Sequence, residues 1–140
     1  MSHLLANLRL PPVADAASRL EQCVRVLIDD FGAQEIWVYG SVAKGEAGPD
    51  SDVDLLVVGG EDSSAGNNRH RAARLLAHVQ GTLPLGLNVV TPTQWTTLRK
   101  ERTTPYPEIV EKGVRLYVRD SSNLTLRPPF LRANFPPPHP

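Results

Sequence analysis

Residues 37–58 read WVYGSVAKGEAGPDSDVDLLVV, and they decide the fold. An apolar run ends in Gly40-Ser41, a small-residue segment with Ala43 and Gly45 follows, and a second apolar run opens with Asp52 and Asp54. Extended chains alternate faces with period two, so the two carboxylates leave the second run in the same direction. Gly48-Pro49 breaks any helix begun at Ser41 and leaves Asp50 in a turn. The predicted local architecture is therefore strand (Ile36 to Tyr39), short helix (Ser41 to about Glu46), strand (Asp52 to Val58). The second strand is apolar on both faces beyond its acidic entrance, which marks a central strand covered on both sides.

Two carboxylates on one sheet face beside a Gly-Ser helix start suit Mg²⁺ together with a polyphosphate. Such an ion takes oxygen ligands and needs only one or two protein carboxylates when phosphate and water complete its shell. Gly40 lets the backbone approach phosphate, Ser41 offers its hydroxyl and N–H, and Lys44 is a candidate countercharge. A DxD pair or a Gly-Ser dipeptide alone is common in ordinary turns and caps, and Lys44 alone reads equally well as a solvated helix residue. It is their spacing, ten residues between Ser41 and Asp52, that joins them into one site.

The pattern GS, ten residues, DxD resembles the signature of the nucleotidyltransferase superfamily that includes DNA polymerase beta. The fuller GSVAKGEAGPDSDVDLLVV is similar to that of the small stand-alone minimal nucleotidyltransferases. The resemblance spans about residues 20–118 and implies an α/β fold, a small mixed β-sheet packed by helices. It also implies Asp52 and Asp54 as catalytic and metal-binding residues, Gly40, Ser41 and Lys44 as nucleotide contacts, Mg²⁺ as cofactor and ATP as the donor. Similar stand-alone proteins are often paired with a helical HEPN-type toxin, so the resemblance implies a protein partner and a homo- or hetero-oligomer.

One departure matters. The resemblance places a third aspartate on the strand read here as PLGLNVV, residues 84–90, and Asn88 stands at that position. An amide can offer a metal its carbonyl oxygen but brings no charge and cannot act as a base. This predicts weakened metal affinity on the acceptor side and chemistry slowed by two to four decades, on the order of a positioned acid-base group. Glu101, Glu108 and Asp120 are the alternative carboxylates, none of them in a comparable apolar strand. Two functions stay open: transfer of a nucleoside monophosphate to a hydroxyl of a protein partner, or a weak or inactive nucleotide-binding antitoxin acting by complex formation.

The remainder supplies scaffold. Ala16, Leu20, Cys23, Val24, Leu27, Ile28 and Phe31 recur on one helix face, closed by Gly32, and Arg69 to Gln80 gives a second packing helix after an exposed Gly59–Asn68 loop. Thr91-Pro92-Thr93-Gln94 has the form of a capping box, and Glu108 to Lys112 and VRLYV (114–118) predict a last helix and strand. Trp37 and Tyr39 read as scaffold or pocket wall. Fifteen basic residues balance fifteen acidic ones, which gives no strong nucleic-acid signature, and Arg69, Arg71 and Arg74 read as a solvated helix face. The lone Cys23 rules out an internal disulfide, and His70 and His78 lack zinc-ligand spacing. No long apolar span or secretory pattern is present, so the expected location is the cytoplasm and no membrane partner is expected. The domain reading is an N-terminal extension (1–12), a nucleotidyltransferase-like domain (13–120) and a proline-rich tail (121–140).

Overall fold

The structure is a computed structural model that describes residues 8–46, 48, 51–62 and 65–119. Asp50, Asp120 and the tail from residue 121 lie outside the described residues. In chain order the elements are α1 (Ala16–Val26) with a wider π-turn (Leu27–Phe31), β1 (Glu35–Tyr39), α2 (Gly40–Lys44) and β2 (Val53–Val58). Then come α3 (Ala65–Leu76), β3 (Leu85–Val90), α4 (Pro92–Leu98), α5 (Tyr106–Lys112) and β4 (Val114–Val118).

The four strands form a mixed sheet in the order β3-β2-β1-β4, with β1 antiparallel to β2 and to β4 and β2 parallel to β3. β2 is interior, as its two-sided apolar pattern requires, and only Asp54 interrupts its buried run. The helix α3 between β2 and β3 makes the crossover that a parallel pair needs.

Strand alternation divides the core in two. Ile36, Val38, Leu55 and Val57 pack with Leu20, Val24 and Leu27 of α1 and its continuation and with Ala72 and Leu76 of α3. Burial of a side chain such as Leu55 or Leu20 contributes about 1.5–3 kcal/mol each. Trp37, Leu56, Val58 and Val90 point to the other face, where Trp95 of α4 and Ile109 of α5 cover them. Leu8 belongs to the first cluster and the Arg9 amide donates to the Val42 carbonyl, so the described end of the N-terminal segment is fastened to the domain.

The second packing helix is displaced from the sequence expectation. It runs over Ala65–Leu76, four residues earlier than Arg69, and ends in a turn before Gln80. Asn68, read as loop, is only 2% exposed, and its side-chain amide donates to the Glu61 carbonyl at 3.0 Å. A polar residue used internally looks like a loop residue in sequence. Arg69, Arg71 and Arg74 of this helix are exposed, as a solvated face implies, and two of them also make contacts. Arg69 Nε donates to the Leu87 carbonyl at 3.0 Å, and the Arg71 guanidinium lies 4.4 Å from the Phe31 ring centroid. No helix among the described residues is long and apolar enough to cross a membrane.

Candidate active site

Asp54 sits at the start of β2 on the face shared with Leu56 and Val58, flanked by Tyr39 on β1 and Gly86 on β3. The neighbours leave little room. A Cβ at Gly40 would lie 2.5 Å from Asp54 Oδ2, and a Cβ at Gly86 would lie 2.5 Å from Asp54 Oδ1. The carboxylate is thus wedged between Gly40 at the start of α2 and Gly86 on β3, and it remains half-buried. Gly40 has a second reason to be glycine: its φ is +75°, where a side chain is strained.

Asp52, one residue before β2, is exposed. Burial raises the Asp54 pKa above its usual carboxylate range, and the charge of Asp52 raises it further. The two carboxylates therefore share one electrostatic neighbourhood, as the period-two argument expects. A pair of hard oxygen donors holding excess negative charge is a fitting donor set for one Mg²⁺ whose remaining ligands come from phosphate and water.

Asn88 lies on the same sheet face as Asp54, one alternation further along β3 and beside Leu56. Its amide is already engaged: Nδ2 donates to the Tyr106 hydroxyl at 3.1 Å, and that hydroxyl lies 3.5 Å from Oδ1. Tyr39 joins the group. Burial raises its pKa, a hydrogen bond with Asn88 opposes the shift, and Asp54 and Tyr106 add to it. Tyr106 is fixed from behind by an edge-on contact with Trp95, centroids 6.3 Å apart. The third position thus carries a neutral amide between two phenols. Among the described residues no group of three His, Cys, Asp or Glu could hold a metal ion.

A pocket of about 190 Å³ opens beside this cluster, lined by Tyr39, Gly40, Lys44, Asn88, Tyr106 and Lys112 among others. It abuts Asp54 through Gly40 and Tyr39, although neither aspartate forms its wall. Lys44 is exposed and stands at the end of α2, which Gly45 closes at φ 72°. Ser41 lies in the first turn of α2 and is half-buried, while Val42 beside it is fully buried and anchors the turn. Of the alternative carboxylates, Glu108 does line this pocket but pairs with Lys112 at 3.5 Å. The Glu101 carbonyl instead accepts from the Thr104 hydroxyl at 2.7 Å.

Sequence reasoning singled out Gly40, Ser41, Lys44, Asp52, Asp54 and Asn88; the structure puts Gly40 against Asp54, Asn88 on the Asp54 face of β3, and Gly40, Lys44 and Asn88 on one pocket, with Ser41 and Asp52 outside its lining. It did not find Gly86, Tyr106 or Lys112. A signal existed for Gly86, since an isolated glycine inside a strand marks a close approach, but nothing in the chain said what approaches.

Comparison with known proteins adds the following. The model of the nucleotidyltransferase domain family matches residues 20–127. A solved structure of a protein from Sulfolobus solfataricus, provisionally designated a nucleotidyltransferase, is similar with TM-score 0.47 and 19% identity, covering 75% of this chain and 86% of that one. A mutant of the toxin–antitoxin MntA-HpeT is similar with TM-score 0.44 and 18% identity, covering 74% and 76%. No curated protein gives a significant match.

Proposed function

The chain belongs to the nucleotidyltransferase domain family, and we propose that it binds a nucleoside triphosphate with one Mg²⁺ at Asp52 and Asp54 and transfers the nucleoside monophosphate to a hydroxyl of a protein partner. The observation that carries the proposal is the placement of Asp54. Gly40 at the start of α2 and Gly86 on β3 leave space for its carboxylate, next to Asp52 and next to a pocket bearing Lys44. A scaffold aspartate has no need of that arrangement.

In this reading the bound ion supplies neutralisation of the charge that builds on the phosphate oxygens. The protein does the rest. Gly40 and Ser41 accept the polyphosphate closely, with the Ser41 hydroxyl and amide as donors. Lys44 supplies positive charge at the same turn. Tyr39 and Tyr106 wall the site and limit the approach of water. ATP is the proposed donor, and the resemblance of residues 40–58 to minimal nucleotidyltransferases extends the proposal to a HEPN-type helical partner.

A second reading rests on its own observation. Asn88 is held by Tyr106 and has no charge with which to take the acceptor's proton. This favours a protein that binds nucleotide and partner while transferring slowly or not at all. The two readings separate in one experiment: intact-mass analysis of the neighbouring-gene product after incubation with this chain, ATP and Mg²⁺, beside Asp52→Ala. A nucleotide-sized increment that needs Asp52 supports transfer. A stable complex with no increment supports the binding reading, and neither complex nor increment refutes both.

A further inference from the structure

Resting on the reading of Asp52, Asp54 and Gly40-Ser41 as the donor's site, we infer that Lys112 is a second phosphate-binding cation for which Glu108 competes with the donor's terminal phosphates, so that the site prefers triphosphates to shorter nucleotides. The cavity of about 190 Å³ beside Gly40 has a cation from each of two helices: Lys44 ends α2 and Lys112 ends α5. Glu108, one turn before Lys112, lines it as well. α5 packs against both β1 and α2, which brings the two lysines to one space from separate parts of the chain.

Gly113 fixes the end of α5 in this place. A Cβ there would lie 2.5 Å from the Ile109 carbonyl oxygen and 2.9 Å from that of Val38, so glycine lets the chain close onto β1 just before Gly40. Lys112 is thereby held at the cavity that Gly40 and Lys44 also line, and a Cβ at Gly40 would lie 2.5 Å from Asp54 Oδ2. The phosphorus under attack belongs at the aspartates. The phosphates beyond it carry most of the donor's charge, and one divalent ion leaves a triphosphate with net negative charge that calls for cations. The cavity next to Gly40 is where the chain supplies them.

Glu108 and Lys112 pair at 3.5 Å, four residues apart on α5, with side chains 54% and 59% exposed. The glutamate precedes the lysine, which is the favourable order on a helix, but an ion pair so open to water contributes little to stability. Such a pair is readily exchanged. A terminal phosphate brings more negative charge than one carboxylate and takes Lys112 from Glu108, whereas a nucleoside monophosphate, with its one phosphate at the aspartates, leaves the pair intact. The displaced carboxylate stays beside the phosphates and repels them. Glu108 therefore keeps the affinity below its maximum, and the preference for a triphosphate depends on Lys112.

The test is calorimetric titration of the full chain in Mg²⁺ with a non-hydrolysable ATP analogue, with AMP, with adenosine and with inorganic tripolyphosphate. Lys112→Ala should weaken the analogue and tripolyphosphate roughly 10-fold while AMP stays within about 2-fold, and Lys112→Arg should hold the analogue within about 3-fold. Glu108→Gln should tighten the analogue about 3-fold, and that gain should vanish in the Lys112→Ala background, because the two residues act as a pair. An analogue affinity that Lys112→Ala leaves unchanged overturns the inference while the donor reading stands. So does a Glu108→Gln gain that persists without Lys112. Adenosine binding that Lys112→Ala weakens as much as it weakens the analogue gives the cavity to the nucleobase and also overturns the inference. An analogue that fails to bind the wild type refutes the donor reading itself, and the assignment of Lys112 falls with it.

Discussion

Replacing Gly86 by Ala isolates the role of the space around Asp54. Gly86 lies within β3 without a positive φ, so the substitution adds one methyl group and no backbone strain. That methyl carbon would stand 2.5 Å from Asp54 Oδ1, with Cγ at 3.7 Å, so the collision is with one carboxylate oxygen. Reaching an ordinary contact of about 3.4 Å requires the carboxylate to move by roughly 0.9 Å, which the end of a half-buried side chain does by rotating. The stability cost is therefore small, about 1 kcal/mol or less, and the main effect is on where the carboxylate points. A reacting group moved by roughly 1 Å loses on the order of 10²-fold in rate. Urea denaturation followed by the fluorescence of Trp37 and Trp95 measures the first quantity. Titration with a fluorescent ATP analogue in Mg²⁺, together with transfer to the partner, measures the second. The expected variant is folded, destabilised modestly, and at least 10-fold weaker for the Mg²⁺-nucleotide. A Gly86→Ala protein with wild-type nucleotide affinity would show that the glycine serves packing alone, and the reasoning would be refuted.

Three other outcomes follow from the same structure. Asn88→Asp restores a carboxylate on the face of Asp54; transfer should rise by roughly 10²-fold or more while nucleotide affinity stays within about 3-fold, read by intact mass and titration. Cys23 is fully buried, and burial raises its pKa from 9.0 to about 11. Its contribution is present below pH 9 and is lost as pH rises through about 11, so on the order of 2–3 kcal/mol of pH-dependent stability should disappear in that window. Subtracting the same curve for Cys23→Ala isolates this loss from the titration of lysines. Thr91→Ala removes the hydroxyl that accepts the Gln94 amide at 3.1 Å at the start of α4. It should cost about 1 kcal/mol in urea denaturation.

How much of this was legible beforehand varies with the range of the interaction. The capping box was read to the atom: Thr91 caps, Pro92 follows, and the Gln94 side chain returns to the Thr91 amide. Its chemistry is complete within four residues. The strand–helix–strand arrangement of residues 35–58 was equally local, since Gly40 and Ser41 open the short helix that joins antiparallel β1 and β2, and Asp52 and Asp54 lie just before and at the start of β2. The surroundings of Asn88 were not legible. Its placement beside Leu56 depends on the parallel register of β2 and β3, and Tyr106 reaches it from a helix 18 residues further on. No periodicity encodes such a meeting. Gly86 failed for the same reason: the strand was recognised, but only register brings that glycine to Asp54. The polar start of α3 failed for another, because the burial of Asn68 under Gly60 is a tertiary contact that overrides its loop-like composition.

The most direct test of the account is calorimetric titration of the wild-type chain and of Asp54→Asn with a non-hydrolysable ATP analogue, in Mg²⁺ and again in EDTA. The account predicts binding by the wild type in Mg²⁺, loss of that binding in EDTA, and at least a 10-fold weaker interaction for Asp54→Asn. Equal affinity in all of these conditions would mean that the aspartate pair does not hold a metal-bound nucleotide, and would contradict the proposed function at its base.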